Sequence, residues 1–349
     1  MPSRYIDRNT PRTQLDGVLI RNPKSTFFTD TFAGGGEQFF KTDIAEWDFD
    51  RYKQPVARYV GEDLIVEPTE RSPFTTKELE TPILMERRVI TARDVRKRGF
   101  GENIFDAPNP IQRLKDLHKE DLEFCADAVD NLIEHQWAQF MTNRIIPIVG
   151  HGVNRVLDYN EPGFEGKEVL AGGNRWGEVG VNIIDSMNRV CSRLARYGHM
   201  VDEIYMSTDV WKIILEDDRL LKLLDVRRLE LGNLRPEKLS KYGAARVVGA
   251  LTDPYVTLFT QESTVPSTTI PHMPAGTVIY STPDAKRNKS GFGSHLYKDL
   301  QTNSWKYTSA RYIQEFRSEA EPPREEVRVI SRHMPIPFDM RSWFVQVVR

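Results

Sequence analysis

Along the chain the apolar positions change period several times, and each change marks a predicted element. The clearest run is Leu114, Leu117, Phe124, Cys125, Ala128, Val129, Leu132, Ile133, Trp137, Phe140 and Met141, which recur at helical spacing. Asn109 is a good N-cap before it and Pro110 suits the first helical position. Gln112 stands three residues after the cap, where its amide can return a hydrogen bond to the cap backbone. No breaker follows until Pro147, so the pattern predicts a helix over 110–142, a rod of about 50 Å. A second stripe, Ile183, Ile184, Met187, Val190, Cys191 and Leu194, predicts a shorter helix closed by Gly198. Ile204–Met206 then reads as a short buried strand, and Ser207 as the cap of a helix carrying Val210, Trp211, Ile213, Ile214 and Leu215.

Extended segments follow at Arg246–Leu251, Tyr255–Thr260 and Thr277–Ser281, and near the C-terminus at Trp305–Phe316, Val327–Pro335 and Trp343–Val348. Between the first two of the last group, Glu319–Glu326 has the composition of a turn or linker, and 145–180 reads as a glycine-rich loop or domain crossing. Upstream, Val60–Val66 and Ile83–Ile90 flank a charged middle with Pro68, Pro73 and Pro82. That predicts a long two-stranded excursion, which is marginally stable alone and needs a surface to lie on. The surface belongs either to the same chain, as for an ordinary hairpin, or to another subunit. Phe27, Phe28 and Phe32, then Phe39 and Phe40, bracket a Gly34-Gly35-Gly36 break and would anchor this segment to a core. Late antiparallel strands need partners laid down earlier, which predicts a discontinuous domain with a second one inserted. No repeat at a period of roughly 20 to 50 residues is visible.

Composition narrows the class. A chain of 349 residues suggests about two domains. With 39% hydrophobic and 28% charged residues it reads as folded and soluble. Lys and Arg total 48 against 50 Asp and Glu, a net charge of −2 that argues against a dedicated nucleic-acid binder. No apolar run approaches the ~18 residues of a membrane span, and the first residues lack the apolar core of a signal peptide. The expectation is a protein that stays where it is made. Cys125 and Cys191 sit in apolar helical contexts, as buried thiols in a reducing compartment would.

The charge is unevenly spread. Residues 1–25 carry Arg4, Arg8, Arg12, Arg21 and Lys24 against Asp7 and Asp16, a basic arm that reads as a solvated tail or, alternatively, docks onto a neighbour. The outer face of the long helix reads as holding Asp116, Glu120, Asp121, Glu123, Asp127, Asp130 and Glu134 against Arg113, Lys115 and Lys119. An acidic helix and a basic arm can pair within or between copies, or the charge simply solvates an exposed face.

Candidate chemistry is sparse. The chain has no Walker A loop, GxGxxG, GxSxG, HExxH or CxxC. Gly34–Gly36 lacks the lysine and hydroxyl of a phosphate loop, Gly291-Phe292-Gly293 lacks a third glycine, and Gly172-Gly173 opens no helix, so all three read as hinges or turns. His118, His135, His151, His199, His272, His295 and His333 include no pair at i, i+3 or i, i+4, the local signature of a zinc site. Cys191 lies on an apolar helix face and reads as core, and Asp48-Phe49-Asp50 is an isolated DxD. These signals assign no catalytic, cofactor-binding or metal residue and leave a metal-dependent enzyme as the weaker reading.

Several strings, in order along most of the chain, resemble the lambda-type major capsid proteins of tailed phages, the capsid protein E family. They are Phe27-Phe28, Thr42-Asp43-Ile44, Ala57–Val60, Arg96–Glu102 before the long helix, Ile204–Trp211, Ile270-Pro271 with Gly276–Ile279 and Lys286-Arg287, and Ser331–Phe338. The resemblance implies an α+β protein of the Hong Kong ninety-seven type capsid fold. Its parts would be an N-terminal arm at 1–45, an E-loop region at 46–100, a peripheral domain at 101–178 and 305–349 with a spine helix at 110–142, and an inserted axial domain at 179–304. It implies a major capsid protein that self-assembles into an icosahedral virion head around double-stranded DNA, with no enzymatic activity, cofactor or membrane contact. The implied partners are copies of itself in pentamers and hexamers, a decoration protein, a scaffolding protein and a portal, and DNA is held without sequence-specific binding. Gly99, Gly101 and Gly172-Gly173 are the hinges such a subunit would use. In some relatives an E-loop lysine bonds to a neighbour's asparagine. Lys77 lies in that loop, but no matching asparagine or carboxylate is identified, so no cross-link is expected. An encapsulin-like cellular compartment shares the fold and is the alternative.

Overall fold

The computed structural model describes residues 25–42, 44–49, 75–97, 109–150, 152–161, 163–217, 245–252, 255–266, 268, 270–299, 304–308, 312–318 and 324–349. In chain order the elements begin with α1 (Phe27–Phe32), β1 (Glu37–Phe39), β2 (Ile44–Phe49), β3 (Thr75–Glu80), β4 (Ile83–Thr91) and α2 (Ala92–Arg96). Next come α3 (Pro110–Asn143), β5 (Ile145–Gly150), β6 (Val153–Asp158), β7 (Lys167–Val169), α4 (Ile183–Ala195), β8 (Glu203–Ser207) and α5 (Thr208–Glu216). The remainder is strand: β9 (Ala245–Thr252), β10 (Tyr255–Gln261), β11 (Thr277–Ser281), β12 (Lys289–Phe292), β13 (His295–Asp299), β14 (Ser304–Thr308), β15 (Tyr312–Ser318), β16 (Arg324–Ile336) and β17 (Trp343–Val347). The basic arm, Val60–Val66, Gly99, Gly101 and the centre of the Glu319–Glu326 linker lie outside the described residues.

Helix α3 spans 34 residues, and Asn109 caps it by accepting a 3.1 Å hydrogen bond from the Ile111 amide. Gln112 does not return to the cap: its amide reaches forward to Asp116 at 3.1 Å, since a one-turn contact on the open face is nearer. The helix ends before Pro147, because Arg144 takes a left-handed conformation at φ 58° and turns the chain into β5. Its buried side holds Cys125, Val129, Ile133, Trp137, Ala138, Phe140 and Met141, whereas Phe124 and Leu132 are exposed. Each large side chain so buried contributes about 2 kcal/mol. The burial is concentrated in the C-terminal half, where α1 and β17 also contact the helix. Helix α4 forms as its stripe predicts and closes in a Schellman turn, the Gly198 amide donating to Ala195 and the His199 amide to Leu194.

Two sheets flank α3. In the first, β16 is central: β15 pairs with its N-terminal half, β4 lies antiparallel to Arg324–Arg332, and β12 continues along His333–Ile336 with β1 parallel to it. The second runs β7-β17-β11-β8-β10-β9 and is covered by α4 and α5. The remaining strands form three separate ribbons, β2 with β3, β5 with β6, and β13 with β14.

Three expectations change. The segment 145–180 is not merely a loop, since it forms the β5–β6 ribbon and strand β7. Trp305–Phe316 is two strands in different sheets, because β14 turns back onto β13 while β15 joins β16. Among the late strands β15 and β16 join the first sheet, but β17 pairs with β11 in the second.

The end of α3 is fixed by a buried cation. The Arg144 guanidinium donates to the Met340 carbonyl at 2.6 Å and to the Trp343 carbonyl, and stacks 4.2 Å over the Trp343 ring. Burial lowers its pKa to about 9 against the opposing pull of Glu161 and Asp339. A Cβ on Gly166 would collide with this guanidinium, so only glycine fits there. Arg144→Ala is expected to cost about 3 kcal/mol or more, because it strips two buried carbonyls of their donors. Gly166→Ala should be of similar severity although it adds one methyl group. Urea unfolding of both variants checks this, and a wild-type midpoint for Gly166→Ala refutes the packing.

Candidate assembly elements

A subunit that builds by contact with its copies works through the segments that leave its core, so the roots of those segments form the site. The first is α1. Thr26, before the helix, makes no capping bond through its side chain to the free amides of the first turn. Those amides are taken instead by Glu134 of α3: Phe28 N donates to Oε1 at 2.7 Å, and Thr29 N and Oγ1 donate to Oε2 at 2.9 and 2.7 Å. The carboxylate is buried, and desolvation pushes its pKa up to about 7 against the lowering effect of these three bonds. Phe27 and Phe32 meet Tyr205 of β8 edge-on at 5.5 and 5.4 Å, and Tyr205 stacks on Phe259 of β10 at 5.0 Å. One turn of helix thus joins α3 to the second sheet, and the aromatic pairs of the sequence do anchor this segment.

After α1 the chain passes through Gly34 and Gly35 so closely that a Cβ on either would strike the backbone oxygens of Lys286 and Arg287. Only Gly36, at φ 84°, makes a turn that favours glycine. Gly291 and Gly293 are also packing positions, against Ile336 and Thr81 respectively. The hinge reading therefore fails for these glycines, because their missing side chains let β1, β12 and the start of β4 approach. Gly172, at φ 59° in a short 3₁₀ turn, keeps the turn reading.

Two acids expected on the outer face of α3 are interior. Glu134 holds α1, and Asp121 is buried against Arg88 at 2.9 Å while that guanidinium covers Phe124 at 3.7 Å. The spacing carried a signal for the first, since Trp137, Ala138 and Met141 stand three, four and seven residues after Glu134 and share its side of the helix. His135 and His272 lie with ring centroids 5.9 Å apart, a pair no local spacing reveals. Burial lowers both pKa values, that of His272 to about 4 with His135 adding to the effect, so both rings are neutral at pH 7. Among the described residues no three His, Cys, Asp or Glu side chains gather as a metal-binding group.

A two-stranded ribbon occurs in this region, but Ile83–Ile90 is not one of its strands, and Val60–Val66 lies outside the described residues. Strand β4 is part of the first sheet, so the ribbon is entered through β2 and left through β3, from Ile44 opposite Glu80 to Phe49 opposite Thr75. Lys77 lies on β3 opposite Trp47, and Asp48 opposite Thr76, while Asp50 is outside the described residues. At the ribbon's root Glu80 pairs with Arg155 of β6, and Thr81 lies against Gly293 just ahead of β13. The root of the β2–β3 ribbon therefore touches the β5–β6 ribbon at Arg155 and the approach to β13 at Gly293.

A family model described as phage major capsid protein E matches residues 12–344. A protein assigned as the capsid protein of a prophage in E. coli CFT073 is similar in structure with a TM-score of 0.64 and 16% identity, over 93% of each chain. The capsid structure of cyanophage P-SCSP1u is similar with a TM-score of 0.50 and 9% identity, over 97% of this chain and 93% of that one. The holo-SrpI encapsulin complex of Synechococcus elongatus PCC 7942 gives a TM-score of 0.44 and 10% identity, over 97% and 92%. No curated protein matches the chain.

The Glu134 anchor has a pH dependence of definite sign. Its folded-state pKa of about 7 lies above the ordinary 4.5, so protonation favours the folded chain. The contribution is complete below pH 4.5 and is lost as pH rises through about 7, by an amount on the order of 3 kcal/mol. Wild type should therefore lose stability relative to Glu134→Gln between pH 5 and pH 8. Urea unfolding at those two values measures it, and a constant difference between the two proteins refutes it.

Proposed function

The chain belongs to the phage major capsid protein E family, forming the shell of the virion head, and from that premise we propose how its parts tile that shell. The fold is the mixed helix and sheet of phage capsids, and the family match across residues 12–344 favours a virion shell over a cargo compartment. Its role is structural. The finer division proposed is an arm at 1–45, an E-loop region at 46–100, a peripheral domain of 101–178 and 305–349 around α3, and an axial domain at 179–304, with β7 and β17 crossing into the second sheet and β1 and β12 into the first.

The observation that carries the proposal is the β2–β3 ribbon, which departs from the first sheet between β1 and β4 instead of joining it. In the proposed arrangement this ribbon lies over an adjacent copy, the basic arm passes beneath that copy's α3, and the segment around the second sheet gathers at the centres of pentamers and hexamers. Each contact is weak and the closed shell sums them. The remaining acids of α3, Glu120 and Asp127 among them, offer the arm a complementary surface. A near-neutral subunit also encloses DNA without gripping it, with scaffolding, decoration and portal proteins as further partners. The structural role extends, in this proposal, to the absence of any catalytic activity.

Replacing residues 51–74 with a short Gly-Ser turn should leave a soluble subunit with a near wild-type melting temperature that no longer closes shells. Normal particles from this variant in electron micrographs overturn the role given to the ribbon. Reversing Arg4, Arg8 and Arg12 to Glu should weaken assembly, most visibly at low salt where charge is least screened. Light scattering across a salt series tests it, and equal assembly of both proteins at low salt returns the arm to a solvated tail.

A further inference from the structure

The β13–β14 ribbon is not absorbed by any part of the assembly described so far. Its strands pair with each other from His295 opposite Thr308 to Asp299 opposite Ser304, and among the described residues neither pairs with a third strand. A two-stranded ribbon is marginal in water without a surface to pack on. Directly opposed residues share a face, so Leu296 and Tyr307 stand on the same face, with Trp305 two residues from Tyr307 on that side. These three are 44%, 72% and 65% exposed, so the large apolar side chains of the ribbon point away from the core.

We propose that this face, Leu296, Trp305 and Tyr307, is a contact between copies of the chain, seated on the neighbouring subunit in the assembled shell. The inference rests on the shell reading, which makes further copies the obligatory neighbours of each surface. The size of the patch argues for the same occupant. Aromatic side chains bury about 150–250 Å² each, so the area still exposed on these three is on the order of 300 Å². A stable pair needs about 800 Å² on each partner. The face is therefore too small to hold a dimer or to retain an independent partner alone. It suits one of several contacts that act together only when a shell closes, and it leaves the free subunit soluble. The ribbon also shares its root with the E-loop ribbon through Thr81 and Gly293, so copies drawn together by one are delivered to the other.

The test is the double variant Trp305→Ser, Tyr307→Ser. Both residues are exposed, so the monomer should keep its circular dichroism and melting temperature while closed particles are lost in sedimentation and electron microscopy. A second measurement does not depend on that variant. Subtracting the emission of Trp305→Phe from that of wild type isolates Trp305 from the other five tryptophans, and the difference spectrum should move to the blue on assembly. Wild-type shells with undiminished particles from the double variant, or an unshifted Trp305 spectrum in the shell, overturn the inference alone. Absence of shells from wild type itself defeats the shell reading instead. Normal assembly with a Trp305 shift only on lipid vesicles or DNA assigns the face to that other surface and likewise overturns the copy contact.

Discussion

Two buried titratable side chains, one on a helix and one at its end, hold this subunit together. Glu134 lies on α3 and Arg144 caps its C-terminus ten residues later, and neither is neutralised by direct pairing with the other. Each is satisfied by backbone groups of a distant segment, the amides of α1 for the carboxylate and the carbonyls of Met340 and Trp343 for the guanidinium. Backbone partners are directional and cannot change rotamer, so these bonds fix where the chain enters and leaves the core rather than merely adding stability. Between them lie Trp137, Phe140 and Met141, fully buried. The N-terminal half of α3, with one buried acid paired to Arg88, is held more lightly.

What could be read from the sequence follows from how local each cause is. The cap at Asn109, the stripe of α4 and the strands β10, β11 and β17 depend on residues within a few positions of each other, and they lie where the pattern puts them. The interior acids were misjudged because burial on a long helix depends on what arrives from elsewhere, in this case α1 and β4. Gly34, Gly35, Gly291 and Gly293 differ from their hinge reading for the same reason: a residue that is small because another strand passes by looks like one that is small to turn. Strand pairing was the least legible, since β4 could not be assigned to β16 rather than to a nearer strand without the intervening fold. The His135–His272 pair is likewise invisible to any spacing rule.

The functional elements show the same division. Sequence alone marks an excursion by composition, yet the ribbon observed opens upstream of the segments with the best pattern. Trp305–Phe316 reads in sequence as one extended segment, and among the described residues only the separation of β14 from the two large sheets sets Trp305 and Tyr307 apart from core aromatics. The family is evident because its signature is an order of elements, which survives when few residues are shared.

The sheet topology also has a consequence for the time course of folding. In the first sheet β1 pairs with β12 across some 250 residues, and β4 pairs with β16 across a similar span; in the second, β7 waits for β17. Such non-local pairings are slow to form and cannot be completed on a partial chain. A nascent subunit on the ribosome therefore lacks both finished sheets until β16 and β17 have emerged. Synthesis itself thus acts as a clock: no chain presents a complete surface to its neighbours before it is nearly finished, and half-made copies are kept out of the lattice.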